Sequence, residues 1–259
     1  MVIGNWKMNP STVTDAKVLF RKICKGVTKK HASVDVMVAP PYPFLLAIAG
    51  LVRKTPVAIG AQHVHFEKTG RHTGEVSVSM LRSVGVSHVI IGHSERRAEG
   101  ETDEQIRKTL FSVAKAGLYA VLCIGETKRD SSGSHFNVVE EQFAKAFTDF
   151  PRSLLGNVII AYEPVWAISS GDGQGKTATP GDAHEMKLFI QKLISDRYGR
   201  PALKKVRILY GGSANAQNAE VLLKEGMVDG FLVGGASLKP KEFISMINTT
   251  QRHAETHTS

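Results

Sequence analysis

Cysteine is scarce in this sequence, and so are the signals that would direct a chain out of the cytoplasm. Cys24 and Cys123 are the two cysteines among 259 residues, and each lies in an apolar stretch. Because a disulfide framework needs more cysteines and a secretory context, we expect two buried, reduced thiols. No apolar run approaches the ~20 residues that cross a bilayer, and Gly4 and Lys7 interrupt any N-terminal secretory signal. The sequence therefore predicts a cytoplasmic protein without membrane contact.

Patterns typical of metal binding and nucleic-acid binding are also lacking. No closely spaced group of histidines and cysteines suggests a metal site. The net charge of +9 could attract a polyanion, or it could be a solvated basic surface that mildly favours an anionic metabolite. Lysine and arginine cluster no further than adjacent pairs such as Lys204-Lys205, without a long basic run interleaved with aromatics. We therefore expect no metal and no nucleic-acid partner.

Short β-branched segments alternate along the chain with segments of helical periodicity, such as Asp103–Ala116, with Thr102 as N-cap and Gly117 as stop. Most of the β-branched segments lack polar alternation, as is typical of strands buried on both faces. Eight strand–helix units in about 250 residues favour closure into a barrel. The sequence predicts an α/β fold, a single (β/α)8 barrel over residues 1–250, and a polar, frayed tail over 251–259. The predicted strands are 2–6, 34–38, 57–61, 88–91, 119–124, 158–162, 206–210 and 230–233.

Polar residues follow several of these strands, where the chemistry of such a barrel is placed. Lys7 follows the first strand; it could be a surface charge, or a cation for a phosphate or a developing oxyanion. His93 follows the fourth strand and could be simply hydrogen-bonded structure. If it opens a short helix, the helix N-terminus disfavours the imidazolium, so that a neutral ring could donate a hydrogen bond. Ser94 or Glu95 could instead be caps.

Glu163 and two glycine pairs follow the later strands. Glu163 ends the apolar sixth strand, where a carboxylate could act as a general base or could pair with an arginine or lysine. Gly211-Gly212-Ser213 follows the seventh strand, and Gly234-Gly235 follows the eighth. Glycines let backbone N–H groups approach an anion closely, and barrels commonly bind phosphate at these two loops. The two pairs together predict a phosphate site.

Six segments, in this order and at this spacing, resemble the triose-phosphate isomerase family from about Val2 to Ile247. The resemblance implies a TIM barrel that interconverts dihydroxyacetone phosphate and D-glyceraldehyde 3-phosphate through an enediolate, in glycolysis and gluconeogenesis. It implies no cofactor, because the carbonyl of the substrate stabilises the carbanion. The segments are Asn5–Asn9, Gly92–Arg97, Cys123–Glu126, Ala161–Ile168, Tyr210–Ser213 and Gly234–Leu238.

The resemblance also implies a role for each matching residue. Glu163 corresponds to the base that moves the proton between two carbons, and His93 to the neutral electrophile that polarises the carbonyl. Lys7 corresponds to the cation near the phosphate and the oxyanion, with Asn5 beside it and Glu95 as a supporting partner. The phosphate-binding residues implied are Gly173, Ser213, Gly234 and Gly235.

Two loops carry further expectations. The family is homodimeric through a long third loop, here Gln62–Glu75, with Thr73 and Glu75 at the matching tip. In the lid after the sixth strand, Ser169–Asp172 intervenes in the usual family string as a four-residue insertion before Gly173. Its added closure entropy should stay below ~1 kcal/mol, so we expect retained chemistry. Two alternatives remain, a catalytically silent phosphate-ligand binder and another phosphosugar barrel enzyme.

Overall fold

The computed structural model describes residues 1–52, 55–168 and 178–257. Within these residues, eight parallel strands form a closed barrel in which sequential strands are neighbours and β8 returns to pair with β1. The predicted (β/α)8 barrel is thereby confirmed. The strands are β1 (Val2–Asn5), β2 (Val36–Ala39), β3 (Val57–Ala61), β4 (His88–Ile91), β5 (Tyr119–Ile124), β6 (Val158–Tyr162), β7 (Arg207–Tyr210) and β8 (Phe231–Val233).

Helices connect the strands and cover the outside of the barrel. Their boundaries follow local signals: Thr102 caps α5 by accepting a hydrogen bond from the Gln105 N–H, and Gly117 follows its end at φ +78°. The predicted N-cap and stop of this helix are confirmed. The described helices are α1 (Val13–Gly26), α2 (Tyr42–Val52), α3 (Val78–Ser83), α4 (Ser94–Ala98), α5 (Asp103–Lys115), α6 (Ser134–Ala146), α7 (Pro180–Tyr198), α8 (Ala219–Lys224) and α9 (Pro240–His257).

The strands are buried on both faces, which explains their unbroken apolar character. One set of side chains, including Met37 and Val121, packs inside the barrel. The alternate set, including Val38, Leu122 and Ile160, packs against the helices. Full burial of an aliphatic side chain contributes about 1.5–3 kcal/mol, so the two layers together hold the strand ends, and the loops that follow them, in fixed positions.

The polar tail is helical as far as His257, so the expectation that it frays from residue 251 is wrong. The residues where it begins are buried and satisfied: Thr250 donates from Oγ1 to the Met246 carbonyl, and Gln251 Oε1 accepts from the Ser33 N–H at 3.2 Å. Polarity therefore did not indicate fraying here. Among the described helices, none is both long and apolar enough to cross a membrane.

His88 is a buried histidine at the start of β4, 7% exposed. Its Nδ1 lies 2.8 Å from Ser87 Oγ, and its ring stacks on Tyr119 with 4.8 Å between centroids. Burial lowers the pKa of His88 to about 4; Arg207 lowers it further, and Asp35 opposes the shift. The folded protein thus holds this imidazole neutral under conditions in which the unfolded chain protonates it.

We expect the free energy of unfolding to fall as the pH drops from 6.5 towards 4. The contribution of His88 to the free energy of unfolding is complete above pH 6.5, the ordinary pKa of the side chain. It is lost progressively below that pH, because the unfolded chain binds the proton before the folded protein does. The slope from this group is at most about 1.4 kcal/mol per pH unit. Urea unfolding at several pH values measures it. His88→Gln should flatten the slope over this window; an unchanged slope in that variant contradicts the assignment.

Candidate active site

A cavity of about 460 Å³ opens where the carboxyl ends of the strands meet. Asn5, Lys7, His93 and Glu163 line it, although they follow three different strands. Parallel strands in a closed barrel end at one rim, so residues far apart in sequence converge there. The glycine-rich segments after β7 and β8 line the same cavity. Their lining residues are Gly211, Gly212, Ser213, Gly234 and Gly235.

His93 is the N-cap of α4, as the sequence suggested. Its Nδ1 accepts a hydrogen bond from the Glu95 N–H at 3.2 Å. An accepting Nδ1 places the proton of a neutral ring on Nε2. This Nε2 lies 3.3 Å from Glu163 Oε1, so the donor side of the ring faces the cavity and the carboxylate.

Glu163 lies directly after β6 and is 2% exposed. Its Oε2 accepts a hydrogen bond from the Ser94 N–H at 3.0 Å, which holds the carboxylate beside His93. Two glycines make room for it. A Cβ at Gly125 would lie 1.8 Å from the Glu163 carbonyl oxygen, and one at Gly211 would lie 2.9 Å from Glu163 Cγ. Gly211, which the sequence analysis assigned to a phosphate loop, therefore also leaves room for the Glu163 side chain.

Lys7 reaches the cavity from a strained backbone with φ +50°. Its N–H donates to Asn5 Oδ1 at 3.0 Å, and its Nζ lies 2.6 Å from Glu95 Oε1. Gln62 was missed by the sequence analysis: its side-chain amide donates to the carbonyls of Lys7 and Ala39, at 2.8 and 2.9 Å. A left-handed lysine is uncommon, and these hydrogen bonds stabilise it.

The loop after β8 places backbone beside Lys7. A Cβ at Gly234 would lie 3.4 Å from Lys7 Cε, whereas one at Gly235 would meet nothing within 4 Å among the described residues. Packing within the protein therefore does not require glycine at 235, and the free space belongs to the cavity. Ser237 closes the turn by donating from Oγ to the Gly234 carbonyl at 2.6 Å, and Ser213 Oγ donates to the Ala167 carbonyl at 2.8 Å.

Glu126 is a second residue that the sequence analysis did not single out for a role. It is fully buried and accepts hydrogen bonds at Oε1 from Tyr162 Oη at 2.9 Å and Trp166 Nε1 at 2.7 Å. The Val165 N–H also donates to its carbonyl at 3.0 Å. Glu126 therefore holds the chain just before Glu163, at Tyr162, and just after it, at Val165 and Trp166. Gly173 and the insertion Ser169–Asp172 lie outside the described residues.

The loop Gln62–Glu75 projects from the barrel after β3, and Thr73 and Glu75 at its tip are exposed. His63 lies between two carboxylates, with Nε2 3.4 Å from Glu75 Oε2 and Nδ1 3.5 Å from Glu101 Oε1. The loop is therefore tied to the segment that follows α4, close to the Glu95 side of the site.

Comparison with known proteins gives the family. The profile described as triosephosphate isomerase matches residues 1–250. Proteins named triosephosphate isomerase are similar over nearly their whole length. That of Carboxydothermus hydrogenoformans is 44% identical over 95% of this chain and 96% of its own. That of Alkaliphilus oremlandii is 40% identical, over 96% and 98%, and that of Endomicrobium trichonymphae 41%, over 95% and 97%. The chain therefore belongs to the triosephosphate isomerase family, and it is an isomerase acting on triose phosphate.

Proposed function

We propose that the chain interconverts dihydroxyacetone phosphate and D-glyceraldehyde 3-phosphate through an enediolate, in the cytoplasm, as a step of glycolysis and gluconeogenesis. The single catalytic domain is the barrel of residues 1–250. One observation carries the proposal: a carboxylate, an imidazole Nε2 and an ammonium group from three strand ends line one cavity. Such a set can remove a proton from carbon and stabilise the resulting oxyanion.

Glu163 is the base in this proposal. Its carboxylate takes the proton from the carbon next to the carbonyl, and the electron pair of the broken C–H bond passes to the carbonyl oxygen. The hydroxyl proton on the first carbon passes to the former carbonyl oxygen. The carboxyl group then returns its proton to the former carbonyl carbon, while the oxygen left on the first carbon forms the new carbonyl. Because Ser94 donates its backbone N–H to Glu163 Oε2, this contact must be released when the carboxylate turns towards the substrate.

His93 and Lys7 stabilise the charge that this transfer creates. The Nε2–H of His93 donates a hydrogen bond to the two oxygens on which the negative charge resides. Lys7 Nζ supplies positive charge, while Asn5 and Glu95 hold its backbone and its ammonium group at 3.0 and 2.6 Å. Fixed dipoles and charges of this kind stabilise the enediolate without reorganisation during the reaction.

The substrate phosphate is placed against the loops after β7 and β8. The backbone at Gly234 and Gly235, the segment at Ser213, and Gly173 of the lid form the site in this proposal. The open space at Gly235 and the closeness of Gly234 to Lys7 support it. Replacing Glu163 with glutamine, and measuring isomerisation of glyceraldehyde 3-phosphate, separates this enzyme from a silent phosphate-ligand binder.

We further propose that two copies of the chain form a homodimer through the loop Gln62–Glu75. Three large apolar side chains from consecutive barrel units are strongly exposed: Met8 at 93%, Leu46 at 73% and Met80 at 56%. The loop tip at Thr73 is also exposed. A second copy would cover this apolar surface, which costs free energy while it faces water.

Light scattering should give a mass twice the 28.2 kDa of one chain. Met80→Glu should shift the protein towards monomer and lower its activity, because a charge in an apolar interface loses its hydration. Leu188→Glu is the matched control, since Leu188 is also an exposed apolar residue but lies on α7. A fully active monomer of the unchanged protein at assay concentration would overturn the proposal.

A further inference from the structure

Helix α1 presents a row of cations without anionic partners. Lys17, Arg21 and Lys25 follow each other at intervals of four residues, so they lie along one line of the helix surface. Lys17 is half-buried, and the other two are exposed. The one acidic residue of the helix, Asp15, is held by Thr12 Oγ1 at 2.6 Å. In the described parts of the chain, no salt bridge engages any of the three cations.

Exposed cations on other helices are neutralised within their own helix. Lys192 Nζ lies 2.6 Å from Asp196 Oδ2 on α7, and Lys224 Nζ lies 2.6 Å from Glu220 Oε1 on α8. On α1 no such masking occurs. The neighbouring α2 contributes no charged residue from Tyr42 to Val52, so the positive potential of the row is not offset from that side.

An apolar cavity of about 340 Å³ lies beside this row. Val18 and Leu19 of α1 form one wall, and Leu238 and Pro240 form the other. The remaining lining residues are Asn9, Pro10, Asp15 and Lys22. On its α1 side the lining carries one cation, Lys22, and the carboxylate of Asp15; the cation row lies next to the cavity, since Arg21 follows the lining residue Val18 by three residues on the helix. This pairing of charge with an apolar concavity distinguishes the surface from a solvated basic helix face.

We propose that this surface binds an acidic peptide segment of a partner protein, with carboxylates on the cation row and one large apolar side chain in the cavity. Four helical residues advance by about 6 Å, which is close to the distance of about 6.8 Å between alternate residues of an extended peptide. A strand-like segment with acidic residues at alternate positions therefore matches the spacing of Lys17, Arg21 and Lys25.

The same surface is poorly suited to nucleic acid or to a membrane. Binding of single strands uses exposed aromatic rings for stacking, whereas the aromatic residue of α1, Phe20, is fully buried. Membrane insertion needs a broad apolar helix face, and the exposed line of α1 offers Val18 among cations. The combination of cations and one cavity favours the peptide.

Fluorescence anisotropy with the full-length protein tests this proposal. The probe is a fluorescein-labelled peptide with glutamate at alternate positions and one central tryptophan. The variant Lys17→Glu/Arg21→Glu/Lys25→Glu should weaken binding at least about tenfold, because three charge contacts become repulsive. The matched control, Arg152→Glu/Lys204→Glu/Lys205→Glu, makes the same change of charge at exposed cations elsewhere and should stay within about twofold. Isomerase activity of both variants, expected to match the parent, reports that each is folded.

Two comparisons of probes complete the test. The same peptide with serine in place of tryptophan should bind several times more weakly, since it leaves the cavity empty. Single-stranded DNA and anionic phospholipid vesicles should compete only weakly with the peptide. The proposal is overturned if the peptide does not bind, if both triple variants bind alike, if the tryptophan makes no difference, or if DNA or vesicles displace the peptide more effectively than unlabelled peptide.

Discussion

Replacing Glu163 with glutamine should lower kcat by about a thousandfold, the scale of a lost general base. The amide has the size of the carboxylate and can still accept the hydrogen bond from the Ser94 N–H. It cannot take a proton from carbon. KM should change little, because the predicted phosphate contacts at Ser213, Gly234 and Gly235 do not involve this side chain. A coupled assay with glyceraldehyde 3-phosphate measures both constants.

Glu242 provides the control for this experiment. It lines the mouth of the same cavity, and its Oε2 lies 3.4 Å from Lys239 Nζ. Glu242→Gln removes the same negative charge from the same cavity without touching the proposed base, so its effect on kcat should stay within a few-fold, typical of a surface pair. Near-normal turnover in Glu163→Gln would exclude Glu163 as the base.

The strands of the barrel were predictable because their burial on both faces leaves a plain signal in sequence. The apolar runs at 57–61, 88–91, 119–124 and 158–162 have the same limits in the structure as in the prediction. The end of α9 was not predictable in this way. Gln251 is buried and accepts a hydrogen bond from the N–H of the distant Ser33, and composition alone cannot reveal such a partner.

The convergence of the site was predictable for a related reason. In a parallel barrel every strand ends at the same rim, so polar residues after strands must lie near one another. The supporting contacts were not predictable. Gln62 acts on the carbonyl of Lys7, and Glu126 on Trp166. Each pair is far apart in sequence, and a lone glutamine or glutamate at the start of a loop has the same appearance as any surface polar residue.

The cations of α1 are another feature that could not be interpreted from the linear sequence alone. In the linear sequence Lys17, Arg21 and Lys25 are scattered, and this scatter argued against nucleic-acid binding. A spacing of four becomes a single line once the segment is a helix. The paired charges on α7 and α8 have the same spacing but opposite signs. The charge pattern therefore gains meaning only when it is combined with the secondary structure and with the cavity beside it.

Glu95 has two contacts that link the proposed electrophile to the proposed cation. Its N–H donates to His93 Nδ1, and its Oε1 lies 2.6 Å from Lys7 Nζ. One residue at the start of α4 thereby sets the orientation of the imidazole through its backbone and the position of the ammonium group through its side chain. Its carboxylate is tolerable near an anionic substrate only while Lys7 balances it.

Replacing Lys7 with methionine should lower kcat/KM by roughly a hundred- to a thousandfold, the scale of a lost oxyanion-stabilising group. Methionine keeps the length of the side chain but removes the ammonium group, so both the enediolate and the phosphate lose stabilisation. The carboxylate of Glu95, now paired at 2.6 Å, would become an uncompensated negative charge beside the substrate. Steady-state kinetics at low and high salt measure the loss of kcat/KM. Any part of this loss that comes from long-range electrostatic attraction of the substrate should shrink as salt is added.

Two further variants separate these contributions. Lys239→Met removes a second lysine that lines the cavity, but this side chain is exposed and paired with Glu242, so its effect should be only a few-fold. The double change Lys7→Met/Glu95→Gln should recover part of the activity lost in Lys7→Met, because it removes the stranded carboxylate. If Lys7→Met keeps kcat/KM within about threefold of the parent, where an oxyanion-stabilising group would cost far more, Lys7 does not stabilise the transition state. If the double variant shows no recovery, the repulsion from Glu95 is negligible, and the loss belongs to the missing ammonium group alone.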